Sequence, residues 1–140
     1  MNVPRILLAA FGAFVAYFAL GSLAFTRPAM KNEFRKYPAV YRSEEGIKSV
    51  MPAGMAAMFV AMMALAVLYA MIAPVVPGAA AGARFGALIG IFAVCSFVIH
   101  NHVNLNIGLT LTLQQAVAYF VEWLVVGIVI GLLYRPPAVN

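Results

Sequence analysis

The sequence predicts an all-α integral membrane protein with four transmembrane helices in a compact bundle, and three observations carry that prediction. Of its 140 residues, 65% are hydrophobic and only 9% are charged, where a soluble domain carries roughly a quarter charged residues. The mean hydropathy is +0.98. The apolar residues also fall into four runs, each close to the roughly 20 residues that a helix needs to cross the hydrocarbon core. The length allows one domain, 1–140, with no separate soluble module.

The first span is expected over 5–25. Arg5, an apolar core and Ser22-Leu23-Ala24 imitate a cleavable signal peptide. The core, however, approaches spanning length, so it reads as a retained helix. Residues 26–50 form the only long polar connection. In it Met30, Phe34, Tyr37 and Tyr41 recur at helical spacing while Lys31, Arg35, Lys36 and Arg42 point elsewhere. That is the pattern of a short interfacial helix, apolar toward the headgroups and basic toward phosphate. A solvated loop without fixed structure is the competing reading. Pro38 ends any helix near Tyr37, and Ser43-Glu44-Glu45 reads as a helix start with acids in its first turn.

The second span is expected over 51–73, closed by the turn 74–78, and the third over 79–100, with Arg84 placed to snorkel to the interface. A polar stretch around His100, Asn101, His102, Asn104 and Asn106 follows. The fourth span is expected over 113–134, stopped by Arg135-Pro136-Pro137.

Charge sets the expected orientation. Six of the nine Lys and Arg residues (Arg27, Lys31, Arg35, Lys36, Arg42 and Lys48) lie in the 26–50 connection. Arg5, Arg84 and Arg135 fall on the other side of a four-span layout. Retention of positive charge predicts a multi-pass protein of the cell inner (plasma) membrane with 26–50 cytoplasmic and both termini outside. The net charge of +5 therefore points to anionic lipid headgroups rather than to nucleic acid, for which no folded basic surface is in prospect.

Several residues read as packing. Gly78, Gly82, Gly86 and Gly90 repeat every fourth position, as do Gly127 and Gly131. Small residues at this spacing let helix backbones approach closely. The pattern leaves open whether the seam lies within one chain or between subunits, so a homodimer and a larger membrane complex both stand as candidate partners. Met51, Met55, Met58 and Met62 share a face of the second span. Thioethers at that spacing can hold Cu(I), but gap-filling between helices is the stronger reading, and no metal site is expected. Cys95, the only cysteine, is expected to pack between helices. No nucleophile–base pair, phosphate-cradling loop or cofactor motif is present, so neither an enzyme nor a cofactor is expected.

Glu122 is the one acid outside 33–45, and it lies inside the fourth apolar run. A carboxyl at lipid depth is costly unless neutral, paired or wet, which makes it a functional candidate. Counted from Gln114, it lies about 12 Å along the helix. Gln115, Ala118 and Glu122 share a face, with Tyr119 beside them. Tyr17, at a matching depth on the first span, and Ser96, on the third, are the expected hydrogen-bond partners. Desolvation favours the neutral acid. His100 and His102 bracket the mouth of this stripe, either as members of a proton relay or as residues that solvate a turn. Glu122 itself also admits a structural reading, as a neutral acid bridging two helices for about 1 kcal/mol.

The layout resembles the uncharacterised four-helix bacterial inner-membrane families of the domain-of-unknown-function type. The shared outline is a basic-aromatic loop after the first helix, the glycine-rich entry Gly82-Ala83-Arg84-Phe85-Gly86-Ala87-Leu88-Ile89-Gly90, an Asn-containing turn, and a last helix closing on Gly127-Ile128-Val129-Ile130-Gly131. The resemblance implies a membrane location. In size and helix number the chain is also similar to small multidrug transporters, whose buried glutamate lies in the first helix, where this chain has none.

The expectation for function is therefore proton-linked binding or transport of a small solute through Glu122. The alternative is a non-catalytic structural or assembly subunit of a larger membrane complex.

Overall fold

The computed structural model describes residues 1–72 and 77–136, which are mostly helical with no strand among them. In chain order the elements are α1 (Val3–Phe25), α2 (Pro28–Arg35), α3 (Glu44–Met71), α4 (Ala79–Ala93), a π-helical segment (Val94–Ile99), α5 (His100–Asn104) and α6 (Leu109–Leu133). Four helices are long and apolar enough to cross a membrane: α1, α3, α6 and the continuous span Ala79–Asn104. The expected turn 74–78 lies outside the described residues except for Pro77 and Gly78.

Helix ends fall where local chemistry puts them, and three differ from expectation. α3 starts at Glu44 rather than at 51. Ser43 caps it by accepting the Gly46 amide on its Oγ at 3.2 Å, and Glu44 and Glu45 offset the dipole in the first turn. Pro52 then sits inside the helix without ending it. The third span runs on to Asn104, because polar residues are tolerated in a helix that has reached the interface, so His100–Asn104 is helix rather than loop. α6 starts at Leu109, four residues early, which leaves only residues 105–108 as a connection.

The spans pack in the order α3, α1, α6, α4. α6 is central, with α4 along one side and α1 along the other, while α3 rests mainly on α1. α1 meets its neighbours through Ile6, Ala9, Ala10 and Ala13, a spacing of three and four that keeps one small-residue face inward. Met62, Ala66 and Tyr69 of α3 and Val126 and Ile130 of α6 complete this core. At the end bearing the chain's N-terminus, Tyr69 packs edge-on against both Phe85 (5.2 Å) and Tyr134 (6.0 Å).

The α4–α6 contact is built on the glycines. A Cβ placed on Gly86 would stand 2.5 Å from the Trp123 carbonyl oxygen, and one on Gly131 would stand 2.5 Å from that of Gly78. Gly82 and Gly127 face each other more closely still, and Gly90 lies against Phe120. Gly82, Gly86, Gly127 and Gly131 thus lie at a contact inside the chain where any side chain would force the two backbones apart, whereas a Cβ on Gly78 would meet nothing within 4 Å. Of the methionine stripe, Met62 is buried in the core and Met58 packs against it, whereas Met51 and Met55 face outward.

Segment 26–50 is folded onto the bundle. Pro28 opens α2 at its first turn, and the helix ends at Arg35, ahead of Pro38. The apolar face does not simply lie on headgroups. Met30 is buried with Ile107 and Leu111, and Phe25, Phe34, Tyr37, Val40 and Tyr41 pack around them as a second small core. Tyr37 Oη accepts the Gly108 amide at 2.9 Å, which fastens the segment to the start of α6.

Candidate functional site

Glu122 lies within a residue of the midpoint of α6, about 20 Å from Leu109 at the α-helical rise. This is deeper than the sequence implied, because α6 begins earlier. The residue is 1% exposed, and neither carboxyl oxygen has a hydrogen-bond partner. Across the helix contact it faces Gly21 of α1, where an added Cβ would come within 3.3 Å of Oε1. The glycine makes the space that the carboxyl fills.

From Glu122 a groove of about 540 Å³ runs toward the α2 end between α1 and α6. Its walls are mainly Leu20, Leu23 and Ala24 on one side and Val117, Ala118 and Val121 on the other, with Met30 of α2 above. Gln114 also lines it and carries a buried, unpartnered Oε1. Arg27 stands at the α2 end. Leu23, Val117 and Val121 are exposed at the rim, so the groove opens sideways, toward the lipid that these helices require. A carboxyl without a partner at the inner end of an apolar groove can accept a proton, a hydrogen-bond donor or a cation.

No protein-family model, curated protein or solved structure matches the chain.

The other expected site residues divide into two groups. Tyr17 is one turn from Gly21 on α1 and packs its ring against Trp123 at 5.5 Å, with no hydrogen bond to Glu122. Tyr119 is one turn from Glu122 and lies between Phe25 and Phe97, each at 5.8 Å. These two stay in the neighbourhood of the carboxyl. Gln115 shares its face by periodicity but is drawn away, donating through Nε2 to Tyr41 Oη at 3.4 Å.

Ser96 is not a partner of Glu122. It is exposed and donates to the Phe92 carbonyl of its own helix at 2.6 Å. The π-helical segment turns it outward, since its i→i+5 winding brings Val98 to the buried side in place of Ser96. Cys95 is also exposed rather than packed between helices, on the side of the helix opposite the glycines. The histidines do not form a relay to Glu122 either. His100 is exposed on α5, and His102 Nδ1 lies 3.0 Å from Thr112 Oγ1, nearly three helical turns short of the carboxyl. Thr112 Oγ1 is also 3.1 Å from the Gly108 carbonyl. That carbonyl also accepts the Thr112 amide at 3.2 Å, so both donors of Thr112 reach the residue before α6.

Gly21 and Gln114 were missed from the sequence. Gly21 stands in an apolar run with no spacing signal of its own. Gln114 and Gln115 are adjacent, and periodicity favoured the wrong one.

Proposed function

We propose that the chain binds a small amphipathic solute with a cationic head in the α1–α6 groove, and exchanges it for a proton at Glu122. One observation carries this reading: the Glu122 carboxyl is buried at the inner end of an apolar groove with both oxygens unpartnered. Burying such a group costs about 1–3 kcal/mol as a neutral acid and more as an anion. A cost of that kind persists where a transient partner recovers it. A neutral Glu122 that loses its proton as a cation arrives keeps the site uncharged throughout, which suits a groove open to lipid. In the same reading the protein lies in the bacterial inner membrane with segment 26–50 on the cytoplasmic side.

The test is equilibrium binding of tetraphenylphosphonium, a lipophilic cation, to the full chain in detergent. Saturable binding that disappears in Glu122→Gln and persists in His100→Ala supports the proposal. Equal binding to wild type and Glu122→Gln removes it.

A second reading, a structural or assembly subunit, is favoured by α3. That helix rests mainly on α1 and turns Met51, Met55, Phe59 and Val60 outward. Stable co-purification with another membrane protein, lost on substituting Met55 and Phe59 by Ala while Glu122→Gln leaves it intact, would favour this reading.

A further inference from the structure

A second groove, of about 820 Å³, lies at the surface where segment 26–50 meets the ends of α1 and α3. Its floor is apolar: Phe25 and Phe34 have ring centroids 6.0 Å apart, Phe34 meets Tyr41 edge-on at 4.7 Å, and Ile47 closes the α3 side. Its rim is basic, carrying Lys31, Arg35 and Arg42 against a single acid, Glu44. Lys31 already holds Glu44 at 3.1 Å. Arg35 and Arg42 are exposed, and neither forms an ion pair among the described residues. Nearby, Lys36 is taken up by Glu33, whose carboxylate holds the ammonium above the ordinary lysine range. The groove thus offers two uncommitted guanidinium groups above an aromatic and aliphatic floor. It is held in shape by the Tyr37–Gly108 hydrogen bond and the second small core.

We propose that this groove is a binding site for an anionic phospholipid, with the phosphate between Arg35 and Arg42 and the start of an acyl chain over Phe25, Phe34 and Ile47. Guanidinium groups suit phosphate because their planar donors match its oxygens in pairs. A free phosphate offers the same headgroup chemistry but leaves the apolar floor in water, whereas a lipid covers both. The location agrees, since the groove lies at the end of the spans, where headgroups meet hydrocarbon. The proposal is independent of Glu122.

The test measures lipids retained by the full-length protein in native mass spectrometry, after incubation in detergent with equimolar phosphatidylglycerol and phosphatidylcholine. The expected result is a preference for phosphatidylglycerol on the order of tenfold, two guanidinium groups' worth of interfacial attraction, reduced by high salt. It should fall toward unity in the Arg35→Ala/Arg42→Ala variant and stay in Arg84→Ala, which removes an exposed charge at the opposite end of the bundle. Millimolar inorganic phosphate should leave it unchanged. Equal retention of the two lipids by wild type overturns the proposal without recourse to any variant. So does a preference that survives the double substitution, or one that inorganic phosphate abolishes.

Discussion

Glu122 and Gly21 form a matched pair across the α1–α6 contact: the carboxyl occupies the space that a side chain at Gly21 would take, with Oε1 only 3.3 Å from the position of an added Cβ. Neither residue satisfies the other. Glycine offers room but no donor toward the carboxyl, so the acid is enclosed by helices that do not bond to it.

That arrangement predicts a conflict between stability and function. Glu122→Leu removes an unpartnered polar group from the interior and should raise stability by about 1–3 kcal/mol while abolishing cation binding. Thermal unfolding in detergent, beside the tetraphenylphosphonium assay, checks both. If Glu122 bridged two helices structurally, the same substitution would destabilise the fold.

Gly21→Ser brings a hydroxyl beside Oε1. It should stabilise the fold by about 1 kcal/mol through a new hydrogen bond and weaken cation binding, because the carboxyl then has a permanent partner. A melting temperature that rises while binding is unchanged would disconnect this pair from the activity.

The glycine contact between α4 and α6 makes a sharper structural prediction. Gly86→Val places atoms where the Trp123 and Leu124 carbonyls already lie, so it should cost roughly 3 kcal/mol or more through overpacking and helix separation. Gly54, on α3, has nothing within 4 Å of an added Cβ, and Gly54→Ala should stabilise by about 0.5–1 kcal/mol through helix propensity. Unfolding in a denaturing detergent series should rank the two variants on opposite sides of wild type.

How far the fold was legible in the sequence follows from which signals are local. The four spans are read from hydropathy alone, and Ser43 announces the start of α3 through its own side chain. Their ends were less legible: His100 to Asn104 looks like a turn by composition, yet it continues the third helix where polar side chains reach the interface. The π-helical segment has no sequence mark, and it rotates Ser96 away from the buried face that an uninterrupted helix would give it. The apolar spacing of Met30, Phe34, Tyr37 and Tyr41 was visible, but its partners, Ile107 and Leu111, come from a distant part of the chain. Glu122 stood out because a carboxyl in an apolar run is costly anywhere. Gly21 and Gln114 become meaningful only once α1 and α6 are side by side.

Tyr37→Phe removes the acceptor that holds the Gly108 amide at 2.9 Å. It should cost about 1 kcal/mol and speed amide hydrogen exchange through segment 26–50. Proton exchange at Glu122 should be untouched, since the segment and the carboxyl are joined by no hydrogen bond. Exchange rates that match wild type across that segment would show that it is held by other contacts.

The most direct measurement is the number of protons released when tetraphenylphosphonium binds to the purified protein in weakly buffered detergent at neutral pH. Proton exchange at a neutral Glu122 predicts about one proton per cation bound in wild type and His102→Gln, and none in Glu122→Gln. Cation binding with no proton release, or release that persists in Glu122→Gln, would contradict it.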